Sequence, residues 1–172
     1  MIKKMAIVLM STVIGTSVYA GNYDTETKGF LGIELGAATV EGERLNDFNH
    51  AGSAVEYGIR FGAQSQEWRA TFAFDYFDSS SDDQNVEKGF LMVDYFLFNN
   101  EGIRPFIGGN VGLINYESTG VDATDFVYGG QAGVIYGVNE SLDIDLSYRY
   151  SLSGSTRVNN LGSIVFGLNY LY

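Results

Sequence analysis

Residues 142–150 alternate without a break: Leu142, Ile144, Leu146, Tyr148 and Tyr150 occupy the even positions, Asp143, Asp145, Ser147 and Arg149 the odd ones. Successive side chains of an extended strand point to opposite faces, so this stretch reads as a strand with one greasy and one charged face. The pattern recurs along the chain. Leu31, Ile33, Leu35 and Ala37 oppose Gly32, Glu34 and Gly36; Val55, Tyr57, Ile59 and Phe61 oppose Glu56, Gly58, Arg60 and Gly62. Trp68, Ala70, Phe72, Phe74 and Tyr76 oppose Arg69, Thr71, Ala73 and Asp75. Residues 88–98 are apolar on both faces, and there Lys88 and Asp94 assign Leu91, Val93, Tyr95 and Leu97 to the outer one. Segments 103–116 and 126–138 are Gly-rich on the inner face, and Ile164, Phe166, Leu168, Tyr170 and Tyr172 alternate with Ser163, Val165, Gly167 and Asn169. The sum is eight strands.

The connections differ in length. Those at 64–68, 98–103 and 138–142 are tight and carry turn formers such as Asn99, Asn100, Gly102, Asn139 and Ser141. The other four are longer and more polar. At roughly 10 residues per membrane-crossing strand, eight strands take about 80 residues and leave the remainder to the connections. Short turns on one rim and long loops on the other predict an eight-stranded antiparallel up-and-down transmembrane β-barrel with its short rim in the periplasm. A soluble β-sandwich also alternates, but its core is aliphatic and aromatic while its exposed face carries the charges. Here the apolar face is wide and tipped with aromatics, and the polar face mixes Gly with Arg and carboxylates, which suits lipid outside and a filled interior.

Composition agrees. Tyr and Phe number 12 each and Gly 22 against one Pro, a balance that favours strands, and 172 residues suit a single domain. A formal charge of −11 disfavours nucleic acid as a partner, and the absence of cysteine excludes disulfides and thiolate metal sites. At the start, Lys3 and Lys4 precede an apolar run over 5–14, and Val18 and Ala20 fit the small-residue pattern of signal peptidase. That run is too short to span a membrane, which takes about 20 residues. It predicts a cleavable signal helix at 1–20 and a barrel domain at 21–172 that begins at Gly21.

RPFIGGNVGL at 104–113 and YGGQAGVIYGVNESLDIDLSYRY at 128–150 resemble the second half of the OmpA/OmpX class of small bacterial outer-membrane barrels. SIVFGLNYLY at 163–172 resembles the strand signal read by the barrel-assembly machinery, with Tyr172, Tyr170 two before it, and Gly167; Val165 stands where that signal usually carries a polar residue. The resemblance covers about residues 28–172. It implies residence in the outer membrane of a Gram-negative envelope, with outer-membrane lipid, lipopolysaccharide and the assembly machinery as partners.

The candidate site residues fall into three groups. Glu34, Glu56, Asp75, Asp94, Asp143 and Asp145 share the inner face with Arg60, Arg69, Arg104 and Arg149, and an eight-stranded barrel is just wide enough for such side chains to fill it. They are expected to pair as a salt-bridged plug rather than line an open path. Trp68, Tyr95, Phe106, Tyr136, Tyr170 and Tyr172 are expected in an aromatic girdle near the periplasmic rim, with Tyr57, Tyr76, Tyr128 and Tyr148 nearer the other. Gly167, Tyr170 and Tyr172 form the assembly signal. His50, with Asp47 and Ser53 in the first long loop, offers a weak nucleophile-and-base set, and Phe48 in that loop a weak sugar platform. Asp78, Asp82 and Asp83 with Ser79, Ser80 and Ser81 lack the spacing of a calcium loop and read as a solvated loop. No metal or cofactor is implied. The expected role is a non-enzymatic structural or surface-interaction barrel whose loops meet lipopolysaccharide or other surface partners; a narrow porin-like channel and a lipid A-modifying enzyme are the alternatives.

Overall fold

The computed structural model describes residues 27–44, 47–79, 84–98, 102–118, 121–154 and 158–172. Eight strands run in chain order: β1 (Lys28–Arg44), β2 (Asp47–Gln64), β3 (Trp68–Ser79), β4 (Gln84–Phe96), β5 (Ile103–Ser118), β6 (Val121–Asn139), β7 (Leu142–Ser153) and β8 (Val158–Leu171). Each pairs antiparallel with its neighbour in sequence, and β8 returns to β1 to close the barrel. Closure joins Phe30 to Leu171 and Glu34 to Gly167, and it is finished by Gly29 and Tyr172, which exchange backbone hydrogen bonds of 3.0 and 2.9 Å. No strand edge is left along the wall shared by all eight, which is what a sheet needs where no water can serve its backbone.

Local chemistry sets the tight turns. Between β2 and β3, the Ser65 hydroxyl accepts from the amides of Glu67 and Trp68 at 3.3 and 3.1 Å. Between β6 and β7, the Asn139 side chain accepts from the amide of Ser141 at 2.9 Å, an Asx turn. Gly102, before β5, has a φ of +91°, a conformation side chains resist.

The alternation read from the sequence sets the two faces, but the strands are longer than the roughly 10 residues a membrane crossing needs. They run from 12 residues in β3 to 19 in β6. Polar outward residues such as Thr39 and Glu41 break the apolar pattern without breaking the ladder, because backbone pairing continues in water. The first long loop is therefore not a loop: Phe48 and His50 stand in β2, where His50 pairs with Gly42. Likewise Asp78 and Ser79 belong to β3 and pair with Asn85 and Gln84 of β4, whereas Ser80, Ser81, Asp82 and Asp83 lie outside the described residues, as does the signal segment 1–20.

Burial is inverted relative to a water-soluble protein. Leu31, Val55 and Ile164 point out of the wall at 58, 64 and 56 % exposure, while Glu34, Arg60 and Asp94 point inward at 2, 2 and 0 %.

Candidate functional site

The interior is built in tiers. In the tier nearest the short turns, Asp145 of β7 is a hub. Both its oxygens face the Arg60 guanidinium of β2, a fork-to-fork pair with Nη1–Oδ1 at 3.1 Å. Arg69 Nη1 and Asn169 Nδ2 donate to Asp145 Oδ2 at 3.2 and 3.0 Å, and Arg60 Nε donates to Asn169 Oδ1 at 2.7 Å. Arg69 also donates through Nε to Asp94 at 2.9 Å, and Gln131 serves that carboxylate's other oxygen at 2.5 Å. Nearer the rim, Arg104 Nη2 and Gln64 Nε2 both donate to Asp143 Oδ2 at 2.8 Å.

Above lies a second set. Arg149 of β7 spans two carboxylates, donating through Nη1 to Asp75 at 2.8 Å and through Nη2 to Glu34 at 3.1 Å. Lys88 of β4 is ion-paired with Glu56 of β2. A contact of 3.5 Å between Arg60 and Glu34 links the tiers. All ten charged residues assigned to the inner face thus meet there, together with Lys88, which the sequence reading used to orient β4 without counting it in the network. Its parity with Asp94 was the signal. Burying such charges is costly unless each is paired and its remaining sites are hydrogen-bonded, and here each of the five cations holds at least one carboxylate.

Two features of the interior were not foreseen. Phe106 does not stand in the outer girdle; it is buried inside, with the Arg69 guanidinium 4.7 Å from its ring centre. Phe106 lies two residues from Arg104, so strand periodicity puts it on the inner face. Phe96 and Phe90 play the same part under Arg104 and Arg149, at 4.8 and 5.0 Å. The second feature is a largely apolar layer on the side away from the short turns, including Val40, Phe77, Val86, Ile114, Tyr116, Val127 and Val158, all buried. The lumen is polar from its middle to the short-turn rim.

The outer wall carries the remaining candidates. Trp68 and Tyr95 face each other across β3 and β4, rings 5.0 Å apart at 61°, and Tyr136, Tyr170 and Tyr172 are exposed on the same half of the barrel. Farther up, Tyr57 and Tyr76 pair at 5.6 Å, and Tyr128 and Tyr148 are exposed. Of the residues in the assembly-signal stretch, Gly167 is turned inward: a side chain there would collide with the Arg60 guanidinium. Val165 is likewise inside and fully buried.

The closed eight-stranded wall matches solved structures over 84 to 86 % of the chain. Neisserial surface protein A (NspA) superposes with a TM-score of 0.70 at 16 % identity, covering 84 % of this chain and 98 % of that one. The fold is that of a small outer-membrane β-barrel. The N-terminal β-barrel domain of Pseudomonas aeruginosa OprF gives a TM-score of 0.60 at 13 % identity, covering 86 % of this chain and all of that one. Outer membrane protein H (OprH) of P. aeruginosa gives 0.59 at 19 %, covering 84 % and 99 %. No protein-family model and no curated protein matches the sequence. What these barrels share with the chain is architecture.

Proposed function

We propose that this chain is an exported integral protein of the outer membrane, in which segment 1–20 is a removable signal and the barrel serves a structural or surface-interaction role. The observation that carries the reading is the inversion of burial: large apolar side chains ring the outside of a closed sheet, and paired charges fill the inside. A surface of that kind is stable only against hydrocarbon. In this reading Trp68, Tyr95, Tyr136, Tyr148, Tyr170 and Tyr172 set the depth of the barrel at the two interfaces. The network of Glu34, Glu56, Arg60, Arg69, Asp75, Asp94, Arg104, Asp143, Asp145 and Arg149 holds the wall together from within, and Gly167, Tyr170 and Tyr172 present the assembly signal. The far-rim hairpins, which carry strand pairing beyond the apolar belt, meet lipopolysaccharide or other surface partners.

Membrane fractionation with gel migration before and after boiling tests the first part. The chain is expected in the outer-membrane fraction, with a folded band that shifts on boiling; recovery as a water-soluble monomer without detergent would refute it. Binding of purified barrel to lipopolysaccharide-coated particles, with residues 45–46 and 119–120 replaced, tests the second part.

A further inference from the structure

The apolar layer and the charged tiers lie at different depths and face water differently. At the short-turn rim the network reaches solvent: the Arg104 side chain is 17 % exposed and pairs with Asp143. At the far side the passage is crossed by Val40, Phe77, Val86, Tyr116, Val127 and Val158, from β1, β3, β4, β5, β6 and β8, each fully buried. Between the two, several polar atoms are buried without a protein partner, among them Asn110 Nδ2, Gln131 Oε1 and Arg149 Nε. These belong to three consecutive strands, and the ladder sets Gln131 directly beside Arg149 and Asn110 beside Gly129. Gly129 and Gly108 add no side chain to that stretch of inner wall. At both glycines the neighbouring strand already fills the place a Cβ would take, so what marks the region is its two leftover donors and one leftover acceptor on adjacent strands, the partners a buried water molecule takes, typically about three hydrogen bonds.

We propose that the middle of the barrel is a water-binding chamber, and that the apolar collar above it, not the salt-bridge network, is the barrier that keeps ions from crossing. The unpartnered polar atoms of the charged tiers are sites that water can occupy. A constriction lined by valines, a phenylalanine and the Tyr116 ring excludes water and so stops ions without a covalent or electrostatic lock. The chamber is therefore closed toward the far rim.

The test is current across planar bilayers, and it rests on the membrane-barrel reading above. Failure of that reading would show earlier, as a chain with no heat-modifiable folded band. The parent barrel is expected to give no discrete conductance. The triple variant Val40→Thr, Val86→Thr, Val127→Thr keeps side-chain volume while wetting the collar, and Phe77→Ala opens it sterically; both are expected to give discrete steps. Glu56→Gln with Lys88→Met, which neutralises a network pair without changing its bulk, is expected to stay silent. Steady steps from the parent, silence from both folded collar variants, or conduction by the Glu56→Gln/Lys88→Met barrel would each overturn the proposal.

Discussion

Asp145 offers the sharpest test of how the interior is held. Its carboxylate takes both ends of the Arg60 fork, Arg69 Nη1 at 3.2 Å and Asn169 Nδ2 at 3.0 Å. Asp145→Ala leaves Arg60 with Glu34 at 3.5 Å and Asn169 at 2.7 Å, and Arg69 with Asp94 alone. Two guanidinium groups at the same depth would then share too little negative charge. Removing one partner of a buried ion pair costs about 3–5 kcal/mol. With a urea dependence of about 2 kcal/mol per M, a loss near 4 kcal/mol moves the unfolding midpoint down by about 2 M. Equilibrium unfolding in detergent micelles, followed by the fluorescence of Trp68, the one tryptophan in the sequence, reads that shift. Adding Arg60→Met to Asp145→Ala removes one stranded charge, so the double variant is expected to lose less than the two single losses combined. A loss below about 1 kcal/mol for Asp145→Ala, the scale of an exposed pair, would mean that the network does not brace the wall.

Three further outcomes follow from the same geometry. Ile33→Arg places a charge on the lipid face near the middle of β1 and is expected to cost about 2–4 kcal/mol, against about 0–1 kcal/mol for Thr39→Arg nearer the far interface, both read by urea unfolding in bilayers; equal costs would remove the lipid belt. Gly167→Ala drives a methyl group into the Arg60 guanidinium and is expected to cost about 1–3 kcal/mol, the range for overpacking, with partial recovery in a Gly167→Ala/Arg60→Met background; no recovery would assign the glycine to assembly alone. Lys88→Met strands Glu56 and is expected to lose about 3–5 kcal/mol, much of it regained by adding Glu56→Gln, with thermal unfolding in micelles as the readout.

Strand periodicity carried most of this structure, and its limits follow from what it measures. Alternation located the eight strands and sorted inner from outer side chains, because lipid on one side and a narrow interior on the other impose opposite demands on neighbouring residues. It underestimated strand length because apolar alternation marks the lipid-covered part of a ladder, whereas hydrogen bonding continues through Thr39, Glu41 and on to His50 in water. The charged residues of the interior were legible by parity, yet their pairing was not: Arg149 and Glu34 are far apart in sequence and meet only because the barrel is closed. Phe106 had the right parity and was misread because residue type was given more weight than position, whereas Lys88 was placed inside by its parity and only left out of the network. The apolar collar was missed for the same reason, since Val86, Ile114 and Val127 on an inner face look like noise in a pattern expected to be polar there.

The last pairing in the fold has a bearing on how the protein is made. Arg60 leaves the ribosome long before Asp145, and longer still before Asn169 and the glycine on which its guanidinium rests. Until β8 docks beside β1, a half-built sheet would carry that cation toward hydrocarbon with few partners. Insertion one strand at a time is thereby penalised, and a chain truncated before β8 would be left both open-edged and wrongly charged at its centre. The keystone of this cylinder is its eighth strand, which ties completion of the wall to neutralisation of what it encloses.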